Sequence, residues 1–305
     1  DRLRGYLEND DLRLTVDLST GAMRGLLLKA ENWEALASED EEVGGLGNVI
    51  VREPDGGDFW QLKGVLRGDI AIASKERQPL PDESQALYST SQVGAGRVSA
   101  GSVMAEFSIA RPFGSGYLHS RIRLYAGLPR IDLHTEILNN EQWVRYRAIF
   151  PTTIREGAIT HEIPFGAIER PEQELPAQNW IDYGDGRHGL GLINRGLPGN
   201  NVDNGVMMLS LCRASELVAY GFIGGNEPGV SSSSGQEIGK WLRFDYALLP
   251  HAGTWQAARL YRAGLEFNNP LIVTKSASHG GQLGPRWGML EIAPDAVVLS
   301  AVKLA

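Results

Sequence analysis

Apolar and polar positions alternate with a period of two along much of the chain. In "DLRLTVDL" the alternating row is Leu12, Leu14, Val16 and Leu18, and in "YLHSRIRLY" it is Leu118, the small Ser120, Ile122 and Leu124. "RIDLHTEIL" repeats the pattern with Ile131, Leu133, Thr135 and Ile137, and "KWLRFDYALLP" with Leu242, Phe244, Tyr246 and Leu248. Successive strand side chains point to opposite faces, so each run predicts a strand with one face on a core and the other in water. Turn sequences punctuate the runs: "STG" at 19–21, "GLP" at 127–129, "DG" at 185–186 and "DNG" at 203–205. Glycine supplies the positive φ that such turns need, and Pro or Asn sets the entry. The 37 glycines fit many short strands joined by tight connections.

Helical signals are few. "ENWEALASEDEE" after Ala30 predicts one or two turns, and "TWQAARLYRAG" predicts a helix capped by Thr254 and stopped by Gly264. Strand and helix units do not alternate, which argues against a parallel α/β sheet. The expected fold is all-β, a large, mainly antiparallel sandwich over residues 1–274. "KSASHGGQLGPRW" (275–287) reads as a Gly- and Ser-rich joint, so residues 275–305 are expected to be a linker and the first strands of a smaller, truncated β domain.

Composition narrows the partners. With 305 residues and 42% apolar residues, the chain is long and apolar enough for a large core. A net charge of −8 with interspersed signs argues against nucleic acid, which needs clustered Lys and Arg. No window approaches the roughly 20 apolar residues of a membrane-spanning helix, so no membrane partner is expected. The single cysteine, Cys212, excludes an internal disulfide and multi-cysteine zinc sites; it reads as a small buried hydrophobe and fits a reducing, cytoplasmic compartment. The chain opens on Asp1 and stops inside a strand-like run, as a piece of something longer does.

Candidate chemistry is thin. The six histidines (119, 134, 161, 188, 251 and 279) are scattered without a ligand-pair spacing such as HExxH. "GSG" at 114–116 lacks a nucleophile elbow, and "GGLGNV" at 44–49 lacks the Lys-Ser/Thr of a phosphate loop. The run "HEIPFGAIERPEQELPAQNWIDYGDG" (161–186) is the densest in acids. Glu162 and Asp182 in principle make a glycosidase pair, which needs carboxyls about 5–9.5 Å apart. Pro164, Pro171 and Pro176 instead suit an edge or connecting segment, where carboxylates accept from orphan backbone N–H groups or pair with a residue such as Arg170. The second reading is preferred: Glu162, Glu169 and Asp182 brace the fold.

Three runs in order carry a resemblance: "EIPFGAIERP", then "PAQNWIDYGDGRHGLGLINRGLPGNNVDNGVMMLSLCRA", then "RFDYALLPHAGTWQAARLYRAGLEFNNPL". With "LENDDLRLTVDLSTGAMRGL", "GLGNVIVREPDGGDFWQL" and "GMLEIAPDAVVLSAVK" at the flanks, nearly the whole chain resembles the C-terminal, non-catalytic portion of glycoside hydrolase family 38, the α-mannosidases. The resemblance implies a supersandwich of the galactose-mutarotase type. It implies a parent enzyme that is a retaining, zinc-dependent exo-glycosidase releasing α-linked mannose. The nucleophile, acid/base and zinc would belong to an N-terminal catalytic domain, which would be this chain's partner; no catalytic residue, metal ligand or cofactor is expected in the chain itself.

Two residues are expected to reach the mannoside substrate from the pocket rim. Arg195 in "LINRGLP" falls where the family lends an arginine loop, and Trp60 in "GGDFWQL" where it lends an aromatic residue. A planar guanidinium or its neighbouring carbonyl fixes paired hydroxyls, and an indole offers an apolar face with one donor. The competing roles are an interdomain ion pair for Arg195 and a core position for Trp60. Trp143, Trp180, Trp241 and Trp255 read as structural. "NRGLPG" departs from the "ND-x-x-x-G" loop of many members and leans toward relatives acting on mannosylglycerate. Alternatives are a free-standing carbohydrate-binding module using Trp60 and Trp143, and a mutarotase- or epimerase-like enzyme. A homo-oligomer is also open.

Overall fold

In the computed structural model, residues 4–37, 45–55, 86–214, 217–220, 226–278, 280–294 and 296–303 are described, with backbone alone for 217–220 and 226–234. The chain opens with β1 (Arg4–Glu8), β2 (Leu12–Asp17), β3 (Met23–Leu28) and β4 (Trp33–Glu34). Then come β5 (Val49–Pro54), β6 (Leu87–Tyr88), β7 (Arg97–Ala100), β8 (Met104–Phe113), β9 (Gly116–Tyr125), β10 (Ile131–Asn139) and β11 (Val144–Pro151). The next group is β12 (Ala158–Ile163), β13 (Gly166–Arg170), β14 (Leu175–Pro176), β15 (Trp180–Gly184) and β16 (His188–Asn194). It is followed by β17 (Gly199–Asp203), β18 (Val206–Ala214), β19 (Leu217–Tyr220), β20 (Asn226–Ser232) and β21 (Lys240–Ala252), and by one helix, α1 (Leu260–Asn268).

The strands form a nine-stranded sheet, ordered β13-β12-β15-β16-β21-β10-β9-β8-β7, and a six-stranded sheet, β14-β17-β18-β11-β5-β6. β1 to β4 make a smaller sheet, and the long pairings are antiparallel. Inward rows of the sheets meet in one core. Phe107, Leu118, Ile122, Leu133, Phe244 and Leu248 come from the larger sheet; Ile50, Ala148, Phe150, Met207 and Leu209 come from the smaller one. Phe150 meets Tyr246 edge-on across the gap, with ring centroids 6.2 Å apart. Tyr246, buried with its hydroxyl, is satisfied by Thr135 Oγ1 at 2.7 Å and Asn48 Oδ1 at 3.0 Å, as a polar group in a core must be. The antiparallel sandwich expected from the alternation is therefore what forms.

Turn chemistry holds in detail. Between β17 and β18, Asn204 (φ 49°) and Gly205 (φ 76°) both take the left-handed conformation of a two-residue hairpin loop, which Asn-Gly tolerates best. At the first turn Asp17 gathers the backbone N–H groups of Ser19 and Thr20 at 2.9 Å each and the Arg24 guanidinium at 2.6 Å.

The helical expectations shift. Residues 255–259 form turns, not helix: the Ala258 N–H donates to Thr254 O at 3.0 Å, but Arg259 adopts φ 54° and separates this turn from α1. The helix then runs through Gly264 to Asn268. Gly264 does not end it; a Cβ there would lie 2.8 Å from Trp180 Cδ1, so glycine seats the helix on the sheet. Leu260 and Phe267 pack on Trp180, Ile193, Ala247 and Leu249. Burying each such side chain contributes about 1.5–3 kcal/mol. The helix expected over "ENWEALASEDEE" does not form among its described residues: a 3₁₀ turn, Lys29–Glu31, ends on its first residue and β4 follows, while residues 38–44 lie outside the described residues.

Cys212 is half-buried against the core, and burial pushes its thiol up to about 12, which suits packing and not nucleophilic attack. Among the described residues, 270–303 form neither strand nor helix.

Candidate functional site

The outward face of the nine-stranded sheet positions the chemistry. Helix α1 covers its centre, and polar side chains collect on both flanks. One flank contains Arg195. This residue follows β16, whose buried Asn194 closes the loop by accepting the Leu197 N–H at 2.9 Å, while the Arg195 N–H donates to Asp245 O at 3.1 Å. The loop is thus held from both neighbouring segments before any ligand arrives.

The Arg195 guanidinium lies over the Phe267 ring at 4.8 Å, and Arg130 lies over the same ring at 5.1 Å. Arg195 also donates to Phe267 O and pairs with Asp245 Oδ2 at 3.4 Å. Asp245 Oδ1 accepts from His134 Nδ1 at 2.7 Å, and Arg130 forks onto Asp132 at 2.6 and 3.1 Å. These groups, with Arg123 and Glu266, line a cavity of about 200 Å³. Beside it, Glu136 receives His119 at 3.0 Å and Arg243 at 3.1 Å. Burial works to raise the Glu136 carboxyl, but hydrogen bonds from His119 and His134 outweigh it and hold it below the usual carboxylate range.

Arg195 is therefore engaged within its own sheet and helix. Its ion pair is with Asp245, and its planar face is stacked; in the "RGLP" loop Leu197 is buried in the core, which leaves Gly196 and Pro198 as the surface it shapes. Trp60, the other expected rim residue, lies outside the described residues.

The opposite flank holds the acid-rich run. Glu162 braces backbone as expected: its Oε2 accepts the Asn179 N–H at 2.6 Å. Burial raises the Glu162 carboxyl, with the Asn179 hydrogen bonds opposing. Arg170 donates to Pro176 O at 3.2 Å, a backbone contact in place of the carboxylate pairing expected. Asp182 pairs with His251, whose Nε2 lies 2.9 Å from Asp182 Oδ1. A carboxylate only accepts, so Nε2 carries the hydrogen.

That dyad was not apparent from the chain, because the two residues stand 69 positions apart. A signal existed in parity: Asp245, Ala247, Leu249 and His251 continue the outward row of β21, and Gly189 opposite His251 leaves it room. The tryptophans separate. Trp180 is fully buried, Trp255 leans on it with centroids 5.1 Å apart, Trp143 is half-buried, and Trp241 is 49% exposed. Among the described residues no group of three or more His, Cys, Asp or Glu side chains converges as metal ligands do.

Comparison with known proteins identifies the family. The family model described as glycosyl hydrolases family 38 C-terminal domain matches residues 7–216. Alpha-mannosidase 2C1 of Mus musculus is 28% identical over 309 residues, covering 98% of this chain and 26% of its own length. Alpha-mannosidase G of Dictyostelium discoideum is 26% identical over 279 residues, covering 85% of this chain and 22% of its own length. A crystal structure of a glycosyl hydrolase family 38 protein from Enterococcus faecalis superposes over 92% of the chain and 34% of its own, with a TM-score of 0.71 at 15% identity; that likeness concerns the fold. The chain thus spans about a quarter of the length of the curated relatives it matches.

Proposed function

Because this chain belongs to the glycosyl hydrolase family 38 C-terminal domains, we propose that it is the β-sandwich portion of a retaining, zinc-dependent α-mannosidase. In this reading it supports an N-terminal catalytic domain and shapes the rim of the sugar pocket with the Arg195 loop and Trp60. The observation that carries the reading is the coverage: α-mannosidase relatives align along 98% of this chain but use only 26% of their own length for it. The reacting groups then belong to the rest of such a protein, since nucleophile and acid must flank one bond. Zinc belongs with them. A second domain beginning near residue 275 belongs to the same proposal, its strands finding partners in that further length.

Arg195 suits a rim position because its side chain is fixed by Phe267 and Asp245, so the loop it carries is pre-shaped. Two measurements test the reading. With an aryl α-mannoside, the 305-residue chain alone shows no turnover with or without added zinc; zinc-dependent turnover by it overturns the proposal. In a full-length protein carrying the chain, Arg195→Ala raises KM roughly tenfold, about 1.4 kcal/mol, and an unchanged KM removes Arg195 from the rim.

A further inference from the structure

The cavity on the Asp182 flank is built as a ligand site of its own. It measures about 230 Å³ and is lined by Thr160, Glu169, Asp182, Gly186, Trp255 and Gln256, among others. Sites for drug-sized molecules run to roughly 300–1,000 Å³, so this one is on the scale of a single ring. Strand register assembles it: Thr160 on β12 stands opposite both Glu169 on β13 and Asp182 on β15, giving a polar row across three strands.

Asp182 is the anchor. It is only 4% exposed, and Oδ1 is taken by His251, itself 5% exposed. Oδ2 accepts no hydrogen bond among the described residues, and Asp182 lines the cavity. That oxygen is not sealed among protein atoms but opens on the cavity, where it is a free acceptor for an O–H or N–H of whatever fills the space. Glycines create the arrangement. A Cβ on Gly189 would meet His251 Cε1 at 2.4 Å, so only glycine lets the imidazole cross β16 to reach Asp182. A Cβ on Gly184 would stand 3.3 Å from Asp182 Oδ2 and crowd the free oxygen.

Trp255 supplies an apolar face. It is half-buried, backed by the fully buried Trp180 at 39° between ring planes, and carried on the turn where the Gly253 N–H donates to Arg187 O at 2.7 Å. Such an indole is held in place before binding and loses little entropy on contact. None of the described lining residues is Lys or Arg, and two are carboxylates, which excludes phosphate, sulfate and uronate ligands. An indole lining the same cavity as hydrogen-bond acceptors, with no cation among the described lining, is the complement of a neutral sugar ring, which offers C–H groups on its faces and hydroxyl donors at its edge.

We propose that this cavity is a carbohydrate-binding site separate from the Arg195 rim, stacking a neutral pyranose on Trp255 and accepting one of its hydroxyls at Asp182 Oδ2. Thr160 and Gln256 bind neighbouring hydroxyls. The site is independent of catalysis, so its test reads binding alone.

The 305-residue chain is titrated calorimetrically with methyl α-mannoside, methyl α-glucoside and methyl β-galactoside, with calcium chloride as a separate arm. At least one glycoside binds with a millimolar Kd. Trp255→Ala and Asp182→Asn each weaken it tenfold or more. Thr160→Val and Gln256→Ala, which remove single polar groups without opening the core, weaken it roughly threefold with an unchanged melting temperature. Trp241→Ala, altering the exposed tryptophan on the same sheet, leaves it unchanged. The proposal is overturned if no glycoside binds, if binding survives both Asp182→Asn and Thr160→Val, if Trp241→Ala is the variant that abolishes it, or if calcium alone binds and depends on Asp182.

Discussion

Two polar flanks of one sheet face, separated by a nine-residue helix, solve the same problem in opposite ways. On the Arg195 flank acids and bases alternate across β9, β10 and β21, and the carboxylates Asp132, Glu136 and Asp245 each meet a cation or an imidazole. On the Asp182 flank arginine and lysine are missing from the described lining, and the buried aspartate spends one oxygen on a histidine while the other faces open space. The first flank is electrostatically closed and serves to fix a loop. The second is preorganised and incomplete, which is the condition of a site that takes a ligand. Charge pairing alone would have ranked them the other way, since the Arg195 flank has more titratable groups.

The largest expected effect comes from the helix that divides them. Phe267 sits under both Arg195 and Arg130 while it packs on the sheet. Phe267→Ala is expected to lower stability by about 3–5 kcal/mol, the usual range for deleting a buried phenylalanine, read by chemical denaturation. The same variant releases the Arg195 loop, whose amides exchange faster, while glycoside binding at Trp255 is kept wherever the chain stays folded. Loss of only about 1 kcal/mol, or an unaltered loop, would show that Phe267 is not the common support.

Acid separates the flanks next. Behind Thr160, on the inward side of β12, His161 is fully buried. Burial first and the Arg170 charge second pull its imidazole down to about 4. The unfolded chain, with an ordinary value near 6.5, binds a proton that the folded chain refuses. The contribution of this residue is therefore fully present above about pH 6.5, falls as the pH drops toward 4, and is level below that. Its full size is up to about 3 kcal/mol. His161→Leu should flatten the stability profile between pH 6.5 and 4; an unchanged slope in that window assigns the acid sensitivity elsewhere.

Much of this architecture was legible in the chain. The rows of Leu12, Leu118, Ile131 and Phe244 lie on the core as their alternation requires, and "DNG" makes the hairpin its residues favour. β16 is harder, because α1 covers its outward row too, and in "HGLGLIN" seven consecutive residues are buried without alternation. The helix boundary was missed because Arg259 takes a left-handed φ that no local propensity announces. For the sites, Arg195 was visible only through resemblance, and its partners Asp245 and Phe267 come from segments 50 and 72 residues away. Asp182 braces His251, in keeping with its polar, proline-rich run, but its free oxygen depends on two glycines whose meaning appears only in register.

Gly189 tests that register directly. Its φ lies outside the left-handed range, so Gly189→Ala tests space alone; the added methyl would overlap His251 Cε1 at 2.4 Å and Nε2 at 2.6 Å. Overpacking of this kind costs about 1–3 kcal/mol. Because the imidazole must move, Asp182 loses its partner, and glycoside binding falls together with stability. Pairing Gly189→Ala with His251→Ala relieves the overlap but leaves Asp182 without its donor, so stability should recover only in part and affinity not at all. Recovery of both would mean that His251 merely fills volume.

The smallest effect belongs to the most crowded network. Asp245 contacts both His134 and Arg195, yet the Arg195–Asp245 pair leaves their side chains 43% and 38% exposed. Exposed pairs contribute only about 0–1 kcal/mol, since water already screens them and two side chains must be ordered to form them. Asp245→Asn should cost less than 1 kcal/mol at low salt. The difference should shrink further in 1 M salt, where charges are screened beyond about 3 Å. A salt-independent loss above about 2 kcal/mol would mean that the Arg195 flank behaves as a buried network. Its closure would then rest on Asp245, and the division between a stacked, screened flank and a desolvated, ligand-ready one would have to be redrawn.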